Sequence, residues 1–225
     1  DMDGDGDLDL IVGNIGLNMP FKVSRKEPLE AHIGDFRDDG VLTSVFSSYI
    51  QGKRYPIASL SEMQEAFPLL KKKFLKHSQY ASATLSDIFS KEQLETSKRL
   101  SVYHFESLYL ENKGDSFQIH SLPIKAQFTA VQGIVVKDFT GDNILDILLA
   151  GNYYPLRVQQ GPSDAGKGLL LEGVGNGEFL VIPNDKFGVF INGDVRDAKV
   201  LKHHNSTNII FSKNSDNIQV IQLVK

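Results

Sequence analysis

Asp1, Asp3, Asp5, Asp7 and Asp9 stand at alternate positions in the opening nine residues, separated by Met2, Gly4, Gly6 and Leu8. Carboxylates so close repel one another unless a cation neutralises them, which disfavours a solvated acidic turn that binds nothing. The donors are all hard oxygens, the ligand set of a calcium ion that takes six to eight of them. The glycines let the backbone curl tightly. The spacing predicts Ca2+ held by the side chains of Asp1, Asp3, Asp5 and Asp9, with the carbonyl of Asp7. An EF-hand is excluded, because its loop needs a bidentate Glu at the twelfth position and a following helix. Here the twelfth residue is Val12, and Leu8 to Val12 reads as a buried strand ending at Gly13-Asn14.

The same sentence recurs. Asp138, Gly141, Asp142, Leu145, Asp146, Gly151 and Asn152 repeat Asp1, Gly4, Asp5, Leu8, Asp9, Gly13 and Asn14, with Ala150 as the single insertion. Asn143 replaces Gly6 and is the side chain that best tolerates a left-handed backbone. The predicted ligands of this second loop are Asp138, Thr140, Asp142, Ile144 (through its carbonyl) and Asp146. Thr140 in place of Asp3 lowers the charge and predicts weaker calcium binding. Two segments read as degraded copies. Asp35-Phe36-Arg37-Asp38-Asp39-Gly40 keeps acids at the first and fifth positions but has Arg37 at the third and Thr43 at the ninth. Asp194-Val195-Arg196-Asp197 shares its opening. A guanidinium suits carboxylates, so Arg37 and Arg196 are expected where a cation sits in the intact loops, with an ordinary surface ion pair as the alternative.

On these residues the chain resembles the FG-GAP/VCBS repeat family, the calcium-loop blades of integrin-α-like β-propellers. It is most similar to secreted or envelope proteins of the Bacteroidetes type near the ASPIC/UnbV group. Tyr109-Leu110-Glu111-Asn112-Lys113-Gly114-Asp115-Ser116-Phe117 looks like the family's turn. The strand leading into Asp138 and the segment from Gly168 to Phe179 look like its blade hairpins. The resemblance implies an all-β fold, part of a β-propeller of about four blades' worth of repeats, spanning residues 1–225, with calcium serving structure. It implies no single activity. Integrin-like propellers bind through their loops, so the resemblance implies an extracellular protein or polysaccharide partner and an extracytoplasmic location. The chain begins inside a repeat and without Met, and is expected to be a piece of a longer protein.

The elements that must position these loops are mostly strands, predicted at 8–13, 41–50, 54–59, 101–111, 117–122, 131–137, 145–150, 169–173, 179–182, 198–202, 207–212 and 218–223. Residues 60–100 break the pattern with short helices at 61–67, after Pro68, and at the capping boxes Thr84-Leu85-Ser86-Asp87 and Ser90-Lys91-Glu92-Gln93. They read as a helical insertion between two propeller strands.

Other chemistry is largely excluded. The chain has 225 residues, 24 Lys and Arg against 28 Asp and Glu, and no cysteine. That rules out disulfides, thiolate zinc sites and cysteine nucleophiles, and leaves no basic field for nucleic acid. Lys71-Lys72-Lys73 is too short a run to supply that affinity. Gly161-Pro162-Ser163-Asp164-Ala165-Gly166-Lys167-Gly168 lacks the hydroxyl that ends a phosphate loop, and a strand is expected to follow it. Gly173 to Gly177 reads as a hairpin turn. His203 and His204 are adjacent, and in a strand they face opposite ways. Asn205-Ser206-Thr207 has the form of a sequon. No nucleophile elbow marks a triad. The rival function is a carbohydrate lyase or hydrolase, for which Tyr49, Tyr55, Tyr153 and Tyr154 are the candidate sugar platform.

Overall fold

The computed structural model describes residues 1–157, 160–204 and 206–223. In chain order the strands begin with β1 (Leu10–Val12), β2 (Leu29–Gly34), β3 (Thr43–Ile50) and β4 (Lys53–Pro56). Five short helices follow, α1 (Leu60–Ala66), α2 (Leu70–Lys73), α3 (His77–Ala81), α4 (Leu85–Ile88) and α5 (Lys91–Thr96). Then come β5 (Lys98–Val102), β6 (Leu108–Asn112), β7 (Phe117–Ser121), β8 (Val131–Lys137), β9 (Asp146–Gly151), β10 (Leu169–Gly173) and β11 (Phe179–Ile182). Helix α6 (Asn184–Phe187) precedes β12 (Val195–His203), β13 (Ser206–Lys213) and β14 (Gln219–Leu223). The fold is mostly β, in four antiparallel sheets ordered β1-β6-β7, β4-β3-β2-β5, β11-β10-β9-β8 and β12-β13-β14. A closed propeller is not shown by these sheets.

The chain divides into two compact units, one of residues 1–19 and 105–225, the other of residues 20–104. In the first, β8 to β11 form an up-and-down meander whose β9 is buried at every residue. Leu148, Ala150 and Leu170 on one face pack with Val195, Ala198, Ile209 and Phe211 of β12 and β13. Ile147, Leu149 and Leu171 on the other pack with Tyr109 of β6 and with Met2. Burial on both faces explains the unbroken apolar run of β9, since alternation appears only where one face is wet. Each aliphatic side chain so buried contributes about 1.5–3 kcal/mol. The repeated Gly-Asn pairs meet the same backbone from two sides. Val131 N donates to Asn14 O (2.8 Å), and Asn152 N donates to Ala130 O (2.9 Å). A Cβ on Gly151 would lie 1.6 Å from Ala130 O, and one on Gly13 would lie 2.3 Å from Val131 O, so only glycine fits at either place.

In the second unit the helices cover one face of the sheet. Phe36, Phe67 and Phe89 meet at centroid distances of 4.5–6.1 Å, within a core that takes Val45 from β3 and Leu60, Met63 and Leu85 from the helices. Ser59 Oγ accepts from Glu62 N while Glu62 accepts from Ser59 N, and Ser90 and Gln93 do the same, so the box expected at Ser90 forms. Asp87 Oδ2 accepts from both Thr84 N and Thr84 Oγ1.

Several boundaries differ from expectation. The predicted strand 101–111 is two strands in different sheets, β5 and β6, because the chain passes from one unit to the other between them. Strand β2 was not expected. The helical segment lies between β4 and β5, two strands of one sheet, inside the unit of residues 20–104. Asp194-Val195-Arg196-Asp197 is not a loop: Val195 starts β12, and Arg196 Nη2 reaches back 2.6 Å to the buried Asp194 carboxylate. The Gly161–Gly168 segment does run into a strand, β10. The side chain of His203 and all of Asn205 lie outside the described residues.

Candidate metal centre

The two intact loops are built on the same set of carboxylate-to-backbone bonds at their first, fifth and ninth positions. Asp1 Oδ1 accepts from Gly4 N (2.7 Å) and Oδ2 from Gly6 N (3.2 Å). Asp138 Oδ1 accepts from Gly141 N (2.6 Å) and Oδ2 from Asn143 N (3.1 Å). The fifth-position carboxylates accept two residues ahead, Asp5 from Asp7 N (2.9 Å) and Asp142 from Ile144 N (2.8 Å). The ninth position closes the loop: Asp9 Oδ2 accepts from Met2 N (2.6 Å), Asp146 Oδ2 from Phe139 N (2.7 Å) and Thr140 N (3.0 Å). Its other oxygen ties the loop to the next strand of the sheet. Asp9 Oδ1 accepts from Asn112 N at the end of β6 (2.8 Å), Asp146 Oδ1 from Gly173 N at the end of β10 (2.9 Å). Since β6 pairs with β1 as β10 pairs with β9, the loops occupy equivalent places in equivalent sheets.

The left-handed turns that permit this are also shared. Gly4 and Gly141 have φ of 82° and 83°, Gly6 and Asn143 have 97° and 68°. The Asp35 loop, between β2 and β3, repeats the turns with Asp38 at 56° and Gly40 at 79°. Its Asp35 carboxylate accepts from Gly40 N (2.7 Å), Arg37 N and Asp39 N (both 3.2 Å). Arg37 Nε lies 2.9 Å from Asp39 Oδ2, the fifth-position acid, and Arg37 Nη1 donates to Ala66 O. Thr43 at the ninth position offers no carboxylate.

Asp1, Asp3 and Asp9 each bring an oxygen to within 4.8 Å of the others. Calcium–oxygen distances of about 2.3–2.6 Å put two ligands of one ion up to about 5 Å apart, so this trio fits a calcium ion. Asp5 and Asp7 are exposed and lie outside it, and Asp138, Asp142 and Asp146 do not converge in the same way among the described residues. Each Asp9 oxygen accepts one backbone N–H. Burial pushes the Asp9 pKa up, but the Met2 and Asn112 N–H groups outweigh it and hold the carboxyl below its ordinary value. Asp138 and Asp35 are held down mainly by the N–H of Gly141 and of Gly40. Beside the first loop, the Tyr109 hydroxyl is buried next to Asp9; desolvation, then the Asp9 charge, push its pKa far up. Lys113 pairs with Glu111 and lies 3.9 Å from Asp3 Oδ2, a screening charge that sequence reading did not pick out.

Tyr49 and Tyr55 do not share one face. Tyr49 is paired with Arg54, and Tyr55 with Ser48, the residue before Tyr49, so the two rings face opposite sides of the β3-β4 pair. Tyr153 carries the Arg196 guanidinium on its ring at 5.1 Å. No family model, curated protein or solved structure matches the chain.

Proposed function

We propose that the chain is a segment of an FG-GAP/VCBS-type β-propeller, stabilised by calcium and acting outside the cytoplasm as a non-catalytic binding or scaffold module for an extracellular protein or polysaccharide. The observation that carries this reading is the ninth-position carboxylate. In both intact loops it bonds the start of its own loop with one oxygen and the end of the neighbouring strand with the other. A cation bound by such a carboxylate would lock loop to sheet. Asp1, Asp3 and Asp9 would hold the tighter ion. Asp5, with the Asp7 carbonyl, would complete its shell. Asp138, Asp142 and Asp146, with Thr140 and the Ile144 carbonyl, would hold a weaker one. The Arg37–Asp39 pair supports a guanidinium in place of metal in the third loop. Exposed Ile124 and Phe128, beside a pocket of about 170 Å³ rimmed by Lys125 and Lys167, supply a surface for a partner. No described helix is long and apolar enough to cross a membrane.

Calorimetric melting in EDTA and then in excess calcium tests the reading. A ligand that binds only the native state stabilises it by about 2.7 kcal/mol at a hundredfold excess over Kd. The expected result is a clear rise in Tm with calcium, reversed by EDTA. An unchanged Tm would falsify the metal reading.

A further inference from the structure

Residues 20–104 contain a polar site that the metal loops do not share. Strand β2 turns Glu30 and His32 to the same side of its sheet, and both are buried, 3% and 2% exposed. In register beside them stand Ser47 of β3, opposite Glu30, and Arg99 of β5, opposite His32. Arg54 Nη1 donates to Glu30 Oε2 (2.8 Å) and lies 3.3 Å from His32 Nε2. Ser97 Oγ donates to Leu94 O (2.8 Å), so at its 3.0 Å contact with His32 Nδ1 it accepts. That assigns the ring proton to Nδ1 and the lone pair on Nε2 to the guanidinium. The imidazole is therefore neutral, and burial, then the Arg54 charge, push its pKa down.

His32, Arg54, Leu94, Glu95, Ser97 and Arg99 line an open pocket of about 410 Å³, beside which the one Glu30 carboxylate serves two guanidiniums. Arg54 satisfies Glu30. Glu95 is paired with Lys91 at 3.6 Å. Arg99 pairs only loosely with the same Glu30 carboxylate, Nη1 to Oε1 at 3.7 Å and beyond a hydrogen bond, and its side chain is 61% exposed. Ser47 Oγ is buried with no partner among the described residues. Stability does not call for this arrangement, since apolar residues of equal volume hold a sheet at least as well as a buried ion pair. The volume is that of a small-molecule site, and a largely exposed planar fork of donors matches an oxyanion.

We propose that this pocket binds a small oxyanion, a carboxylate or a phosphate, gripped by the Arg99 guanidinium at its mouth, with Arg54 held in place behind by Glu30 and His32. The site goes beyond the calcium reading and stands or falls without it. Titration of the intact chain, at constant ionic strength in chloride, with inorganic phosphate and separately with acetate and glucuronate, followed by amide NMR shifts, tests it. One of these anions is expected to saturate a single site around Ser97 to Arg99 with a Kd of about 1 mM or tighter; which one does so names the ligand chemistry. Arg99→Gln should weaken that binding at least about tenfold. Arg99 is exposed, so this variant keeps its fold, whereas Arg54→Gln strips a buried carboxylate of its partner. Absence of saturable shifts with every anion up to about 10 mM, or equal affinity in Arg99→Gln and the parent, overturns the proposal.

Discussion

Asp9 joins the candidate centre to the sheet, because one of its oxygens bonds the start of the loop at Met2 N and the other the end of β6 at Asn112 N. Asp9→Asn puts an amide NH2 against one of two N–H donors, Met2 or Asn112, and leaves that donor unmet. The expected loss is about 1–3 kcal/mol, read by urea denaturation in EDTA, together with most of the calcium-induced rise in Tm. The pH dependence has a definite sign. A carboxyl whose folded pKa lies below its ordinary value of 3.8 stabilises the fold fully above that value and loses the contribution as pH falls through the folded pKa. The parent should therefore lose stability on acidification below about pH 4 more steeply than Asp9→Asn. A parallel pair of acid-unfolding curves would count against the Asp9 bonds.

At the scale of elements, the acidic loops were legible because their spacing fixes backbone chemistry: a carboxylate that caps N–H groups three and five residues on needs left-handed turns at fixed places, and Gly and Asn mark them. Strand β9 was legible from its unbroken apolar run. Strand β2 was not. Alternation would send Leu29, Ala31 and Ile33 inward, yet the residues the fold buries most deeply are Glu30 and His32, while Phe46 and Leu100, on the other face, stay exposed. A strand whose hidden side is polar gives a misleading pattern, and the hydrogen bond that Arg54 donates to Glu30 from another strand is what makes that burial tolerable. Asp194 misled for the opposite reason, since the motif's letters recur there without the glycines that turn it. The Gly-Asn repeat makes an element-scale prediction. Gly151→Ala must push apart β9 and the Ala130 backbone, and should cost several kcal/mol, on the order of 3. Gly4→Ala meets open space and should cost about 1 kcal/mol from its positive φ alone. Equal melting temperatures for the two variants would contradict the close approach.

For the molecule as a whole, the two units divide the labour. Residues 1–19 and 105–225 hold both intact loops, and residues 20–104 hold the loop with Arg37. Amide hydrogen exchange with and without calcium should therefore slow at Asp1–Asp9, at Asp138–Asp146 and at the strand ends Asn112 and Gly173, and remain unchanged from Asp35 to Val41. Protection gained in the Asp35 loop would mean that a cation, not Arg37, neutralises it.

Between β1 and β6 the polypeptide leaves the first unit and comes back at almost one spot: Gly16 N donates to Phe105 O at 2.7 Å, and Asn14 N to Ser107 Oγ at 3.1 Å. Such a doorway is suited to grafting. The excursion can be excised and its stumps bridged by a few glycines, or exchanged for a foreign cargo domain, with β1 still zipped in register to β6.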